Sequence, residues 1–562
     1  MTSFRILLIT PPLTQLNTPY PATAYIKGFL GGRGYTVAQA DLGLELVLRM
    51  FSAAGLKRIF QEIEQNGYDL SDNARRMVRL QRSYITTIEP VVRFLQNKDN
   101  TLAPRICHSR FLPEAARFDN VADLETAFGT MGLTDQARHL ATLYLEDLGD
   151  LIKETVGPQF GFSRYAEKLA LSATSFEPLY EALQTAPNLV DRMLLELLDE
   201  LVEQVQPDVV GFTVPFPGNL YGALRLAGRV KALRPQAKTL MGGGYPNTEL
   251  RQIKEPRFFD YVDYLTLDDG EGPWLRLLEH LQEQRPQSEL QRTFLRDAEG
   301  QIQYLNYAHP DIPHPEVGTP DYSNLPLTEY LSVIEVLNPM HRLWSDGRWN
   351  KLTIAHDCYW KRCSFCDVTL DYIGRYETAP ATLLVDRIEQ IVQQTGQTGF
   401  HFVDEAAPPL ALRDLAIELL KRRVSITWWG NIRFEKTFSP DLCRRWLHCR
   451  VGRARSCLRS FACPDGERCN HCPSSARDGW LHPSGHHGTR LPHVWFSHAN
   501  NPGNHRLAGS STATIRGGHC AVGLLAPLLH DSALASGQEP GEVQRSSRGP
   551  TARRLCLERP LA

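Results

Sequence analysis

Cys358-Tyr-Trp-Lys-Arg-Cys363-Ser-Phe-Cys366 leaves an apolar run, Lys351 to His356, and precedes a long helical pattern. The chain opens MTSFRILLITPP, going straight into a buried-strand pattern instead of a signal peptide. Three thiols this close in such a chain read as ligands before they read as disulfides. With no fourth cysteine nearby, they leave one position of an iron–sulfur cluster open for a substrate or cofactor.

Outward from this stretch a βα rhythm continues. A helix is expected over Ala381 to Gln394, a strand over Phe400 to Asp404, a helix over Leu410 to Arg422 and a strand over Val424 to Trp429. Three successive βα units look like the beginning of a barrel, with the cysteine loop after its first strand.

Towards the N-terminus, residues 286–330 are rich in Pro, Asp and Asn and read as a linker or extended strap. Before it, residues 1–285 read as one α/β domain. Phe4 to Thr10 is a continuous apolar run, as a strand buried on both faces requires. A helix from Tyr20 to about Leu30 and a strand from Tyr35 to Ala40 follow. From about 44 to 205 the period is 3.6 throughout, which predicts a large helical insertion. Alternation then resumes with strand Val209 to Val214, helix Leu220 to Leu233, strand Thr239 to Met241, strand Tyr261 to Leu267 and a helix from about Pro273 to Gln284. Five strands with intervening helices predict a flavodoxin-like, doubly wound sheet whose ligand lies beyond the carboxyl ends of its strands. Those ends carry TPP, TVPFPGN, GGGYPNT and LDDGEG. Glycines there let a backbone approach a large flat ligand, and they equally serve ordinary turns.

The chain has 562 residues, which predicts two or three domains. A formal charge of −2 gives no reason to expect a nucleic-acid partner. No apolar run approaches the roughly 20 residues of a membrane span. The expected setting is soluble, reducing and cytoplasmic.

The spacing C-x4-C-x2-C admits three readings. Plant-type 2Fe–2S ferredoxins share it but need a fourth cysteine, and the next here is Cys443. A structural zinc site would take His356 as its fourth ligand, giving a non-catalytic metal- or cobalamin-binding protein. The third reading is that residues 331–445 resemble the radical S-adenosylmethionine (SAM) superfamily. The likeness rests on the cysteine loop after a first barrel strand, Phe365 just before the last cysteine, Asp404-Glu405 ending the second strand, and Arg433 after the third. The commoner family spacing is C-x3-C-x2-C, so this loop has one residue more.

This resemblance implies that Cys358, Cys363 and Cys366 hold a 4Fe–4S cluster whose fourth iron takes S-adenosylmethionine. Phe365, Glu405 and Arg433 would then contact the adenosylmethionine. One electron, from a reductant such as flavodoxin or ferredoxin, cleaves the sulfonium to a 5′-deoxyadenosyl radical that abstracts hydrogen from a small-molecule substrate. The upstream domain is similar to the cobalamin-binding half of cobalamin-dependent members, which implies methyl transfer or a radical rearrangement. Thr213, Gly242, Gly243, Gly244 and Glu271 are the implied cobalamin contacts. The DxHxxG element that supplies a cobalt-ligating histidine in some cobalamin domains is missing from the first loop, TPPLTQLNTPYP.

After Arg445 the periodicity disappears, lysine and tyrosine are absent, and Arg, Ser, Pro, Gly, His and Cys crowd together. Residues 446–562 therefore read as an irregular, disordered tail translated out of frame. A one-base shift permits strings containing GGLE and YGFP, which resemble the later half of a radical SAM barrel. A partial barrel would leave strand edges uncovered, so the written chain is expected to be aggregation-prone or inactive.

Overall fold

The computed structural model describes residues 4–108, 111–119, 132–162, 175–334, 348–362 and 370–432. The expected tail, 446–562, lies outside them.

The chain enters as β1 (Arg5–Thr10), whose residues from Ile6 onward are all buried. It continues through α1 (Ala22–Gly31) and β2 (Thr36–Asp41). The helical insertion comes next: α2 (Leu42–Met50), α3 (Ala53–Asn66), α4 (Asp72–Arg79), α5 (Gln81–Leu95), α6 (Ala103–His108), α7 (Leu133–Glu154), α8 (Glu177–Gln184) and α9 (Leu189–Val205). Four of these start where a short polar side chain satisfies a free amide of the first turn. Asp41 accepts from Leu44, Ser52 from Gly55, Ser71 from Ala74 and Asn188 from Asp191.

The sheet resumes with β3 (Val209–Thr213), α10 (Leu220–Leu233), β4 (Lys238–Gly242), α11 (Gly244–Thr248), β5 (Tyr264–Thr266) and α12 (Glu271–Leu281). Two further strands, β6 (Thr293–Arg296) and β7 (Ile302–Leu305), complete it. The strand order is β2-β1-β3-β4-β5-β6-β7. The first five strands pair in parallel. Their 2-1-3-4-5 order is the flavodoxin-like one. One core cluster joins this sheet to the insertion, with Leu7, Ile9, Val210 and Phe212 packed in the same cluster as Leu44, Tyr144, Leu194 and Leu198.

The last two strands correct the expected strap over 286–330 and the expected count of five. β6 pairs antiparallel with β5, and β7 pairs antiparallel with β6. The turn between them closes on Asp297 and Gly300, the latter at φ 82°. Across the pair, Phe294 and Tyr304 rings lie 4.5 Å apart. Cross-strand aromatic contact of this kind holds a short hairpin that composition alone marks as loop.

From residue 306 the chain is extended and pinned along its length. Lys27 Nζ donates to the Ser323 carbonyl at 2.6 Å and to Asn324 Oδ1 at 2.7 Å. Gln39 donates to the Asp321 and Ser323 carbonyls. Tyr330 donates to Asp41 at 2.8 Å, and the Ser332 amide to the Leu95 carbonyl at 2.7 Å.

The second unit comprises β8 (Asn350–Leu352), β9 (Ala355–His356), α13 (Asp371–Gly374), β10 (Glu377–Thr378), α14 (Ala381–Thr395), β11 (Gly399–Ala407), α15 (Pro409–Arg422) and β12 (Thr427–Ile432). β8, β11 and β12 form a parallel sheet in the order β12-β11-β8. Leu384, Ile388 and Ile391 of α14 and Leu412, Leu415 and Leu419 of α15 share a core with Leu352, Phe400 and Phe402. The expected single strand Lys351 to His356 is divided. Asp404 accepts the amides of Ile354 (3.0 Å) and Ala355 (2.9 Å), and β9 turns to pair antiparallel with β10.

Candidate functional site

Two groups of predicted residues lie at the carboxyl ends of strands. In the large sheet, Thr213 ends β3 directly opposite Gly242 at the end of β4. Thr213 is buried and its Oγ1 has no partner within the described protein. Nearby in the chain, Asn219 is fully buried. Its Nδ2 donates to the Pro11 carbonyl (3.2 Å) and to Thr14 (2.9 Å), while its Oδ1 has no partner. Buried polar atoms without partners at a strand-end cleft are atoms a polar ligand can satisfy.

The glycine triplet has a packing role that spacing did not show. A Cβ on Gly243, which sits at φ 118°, would meet the Val214 carbonyl oxygen at 2.8 Å; one on Gly244 would meet the Pro215 carbonyl oxygen at 2.8 Å. The loops after β3 and β4 thus touch backbone to backbone. Gly242 packs against Thr266 on the other side.

Glu271 heads α12. Its pKa is pushed up to about 7, first by burial and then by the neighbouring Asp269 carboxylate. Asp269 itself reaches out of the sheet. It accepts from His356 Nε2 at 2.9 Å and 3.0 Å, one contact per oxygen, and from Arg375 Nη2 at 2.5 Å. Arg375 also pairs with Asp311 (2.7 Å), which pairs with Arg292 (2.5 Å). Burial works against the charged form of Asp269, but His356, Arg375 and Arg292 outweigh it and hold its pKa below the ordinary value. Burial likewise works against His356⁺, and Asp269 together with the Arg375 carbonyl reverses this, raising its pKa.

Cys358 follows at once. It is half-buried and in no disulfide. The backbone around it passes through the left-handed region at Asp357 (φ 56°) and Lys361 (φ 51°). The Lys361 ammonium donates to the Gly374 carbonyl across the loop, and the Tyr359 and Tyr376 rings lie 6.3 Å apart. Cys363, Phe365, Cys366 and Arg433 lie outside the described residues.

His356 does not match the zinc reading. Nδ1 lies 2.7 Å from the Arg375 carbonyl and so donates to it, while Nε2 faces the Asp269 carboxylate. Both ring nitrogens are occupied, and neither presents a lone pair to a metal.

Glu405 stands near the end of β11. Burial alternates along that strand, so Glu405 shares a face with His401 and Val403, opposite Phe400, Phe402 and Asp404. The helices pack on the second face, which leaves Glu405 on the face turned away from them. Partial desolvation and then the nearby Asp357 carboxylate raise its pKa. Asp404, its partner in the sequence motif, is instead a backbone acceptor, pushed up to about 7 by burial in spite of its amide hydrogen bonds.

The face turned away from the helices holds a row that sequence reading missed. Lys351 Nζ lies 2.9 Å from His401 Nδ1, and the His401 ring stacks on Trp429 at 3.6 Å with an interplanar angle of 7°. Burial lowers Lys351 to about 7; burial and then Lys351 lower His401 to about 2, so the imidazole accepts. Parallel pairing aligns Lys351, His401 and Trp429 across the three strands. Lys351 and His401 precede the strand ends that lead towards Cys358.

Asp269 and Glu271 were legible as the LDDGEG strand end, whereas Arg292, Asp311 and Arg375 carried no local signal.

No protein-family model matches the chain, and no curated protein matches it. Among solved structures it is similar to the cobalamin-dependent S-adenosylmethionine radical enzyme OxsB with aqua-cobalamin and S-adenosylmethionine bound. That match has 15% identity over 53% of this chain and 41% of that one, at a TM-score of 0.35. It is also similar to the radical S-adenosylmethionine methyltransferase TsrM from Kitasatospora setae with cobalamin and a 4Fe–4S cluster bound (13% identity, 79% of this chain, 57% of that chain, TM-score 0.36). A second TsrM structure, with tryptophan substrate and a SAM analogue, matches at 16% identity over 45% of this chain and 49% of that chain, at a TM-score of 0.34. The chain spans less than two thirds of the length of each of these structures.

Proposed function

We propose that the chain is by descent a radical SAM enzyme that pairs a 4Fe–4S cluster with cobalamin to methylate or rearrange a small molecule. The observation that carries this reading is the placement of Cys358. It follows the strand break after β8, at the carboxyl end of a parallel βα sheet, and the loop it opens is joined through His356 to the strand-end loop of the large sheet. When bound, a 4Fe–4S cluster would supply one-electron reduction of S-adenosylmethionine, drawing on an external reductant such as flavodoxin or ferredoxin, and methylcobalamin would supply the methyl group.

Among the described residues, Cys358 and the unpaired buried oxygens of Thr213 and Asn219 support these groups. Cys358, with Cys363 and Cys366, would supply the three thiolates, and Phe365, Glu405 and Arg433 would contact the adenosylmethionine. Thr213 Oγ1 and Asn219 Oδ1 offer unpaired buried oxygens to the polar periphery of a corrin, with Gly242, Gly243, Gly244 and Glu271 around them. No described helix is long and apolar enough to cross a membrane. A cytoplasmic setting belongs to the same proposal.

Anaerobic reconstitution of the full chain with iron and sulfide tests the reading. The expected result is a broad absorbance at about 400 nm that changes on adding S-adenosylmethionine, and hydroxocobalamin retained through gel filtration. Colourless protein holding stoichiometric zinc overturns it in favour of a metal-binding protein.

A further inference from the structure

The cysteine loop, 357–376, leaves β9 and returns into β10, so its two ends form a narrow neck. One carboxylate, Asp269, grips both sides of that neck: His356 on the way in, at 2.9 Å, and Arg375 on the way out, at 2.5 Å. His356 also donates to the Arg375 carbonyl at 2.7 Å, closing a triangle. Behind it, Asp311 binds Arg375 on one side and Arg292 on the other, so the strap and the entry to β6 brace the same arginine.

Asp269 is not an incidental surface partner. It lies three residues beyond β5 and two before Glu271, inside the strand-end loop of the large sheet. Asp268 in that loop stands at φ 63° and pairs with Arg251, while its amide donates to Asn247 Oδ1 at 2.6 Å. The carboxylate therefore projects from a loop fixed at its base. Asp269 and Arg375 are each about a quarter exposed or less, and His356 is less exposed than Asp269. Charge-assisted contacts in such surroundings hold geometry more firmly than surface pairs do.

We propose that Asp269 is a positioning residue: it fixes the neck of the cysteine loop against the ligand end of the large sheet, so that occupancy of one is felt at the other. The inference rests on the proposed function only for the identity of the two occupants. A group bound at the ends of β3 to β5 presses on the loop that carries Asp269. Through Asp269 it orders residues flanking Cys358.

Amide hydrogen exchange on the full 562-residue chain tests this without any cofactor. In Asp269→Ala, and independently in Arg375→Gln, the described flanks of the loop (354–362 and 370–378) should exchange roughly tenfold or more faster, while β1 and β3 keep their wild-type rates. Unchanged flanks overturn the proposal. So does equal acceleration of β1 and β3 in both variants, which would make the contact general fold support. The second arm adds hydroxocobalamin. Slower exchange of the flanks in wild type, and its loss in Asp269→Ala despite retained cobalamin, is expected. Equal slowing in the variant overturns the coupling. Failure of wild type to bind cobalamin overturns that occupant, and the cofactor-free arm still decides the neck contact.

Discussion

At the scale of single residues, Cys358 and Asp404 show two ways in which a motif acquires meaning. Cys358 is a ligand candidate by spacing, and its place after β9 gives that candidacy a location. Cys358→Ser should lower reconstituted iron per chain and abolish the absorbance at about 400 nm, with far-UV circular dichroism unchanged. Cys107→Ser should leave both intact, because that thiol is pushed up to about 11 by burial and donates to the Leu133 carbonyl.

Asp404 belongs to an acidic pair in the sequence and works alone in the fold. Burial favours its neutral form, raising the folded value to about 7 from 3.8. The folded state thus holds the proton more tightly than the unfolded chain. Its stabilising contribution is complete below the ordinary carboxylate value and is lost as pH rises through about 7. The urea midpoint of the wild type should therefore fall between about pH 5 and about pH 9, and the fall should be shallower in Asp404→Asn. At about pH 5 that variant should lie close to the wild type in stability, since a protonated carboxyl and an amide each offer one carbonyl oxygen to the amides of Ile354 and Ala355.

At the scale of elements, apolar period placed most helices and strands within two or three residues, including α10 and α15. The hairpin of β6 and β7 was not recognised, because four-residue strands beside Pro, Asp and Asn look like loop until a neighbouring edge pairs with them. The glycine triplet is the complementary case. Its presence was plain, but the reason for it is the contact between the loops after β3 and β4. Gly243→Ala should cost about 2–4 kcal/mol, from a disfavoured φ and a clash with Val214, read as a lowered thermal midpoint. Gly31→Ala, at the end of α1 with open space around it, should be neutral or raise the midpoint slightly.

At the scale of the whole molecule, the strap decides how the two α/β units meet. It crosses α1 at Gly28, where a Cβ would fall 1.9 Å from the Thr319 carbonyl oxygen, and Lys27 binds it from below. Gly28→Ala should lift the strap. The expected reading is faster proteolysis between 306 and 334, with the insertion helices α2 to α9 still protected. Beyond the described residues, the loss of periodicity after Arg445 leads to one further expectation. The coding DNA should carry a one-base shift near Arg445, and an intact frame with no alternative matching the GGLE and YGFP strings would sink it.

Sequence by itself determined the alternating βα order, the extent of the helical insertion and the candidacy of the three cysteines, because period and ligand spacing are local properties of the chain. Only the tertiary structure decided that His356 faces Asp269 instead of a metal, that Asp404 and Glu405 part to opposite faces of β11, and that Lys351, His401 and Trp429 form one row. Each of those outcomes depends on partners 28 to 106 residues away. Charge pairing, strand register and burial act through space between such residues, and no local pattern encodes which of them will meet.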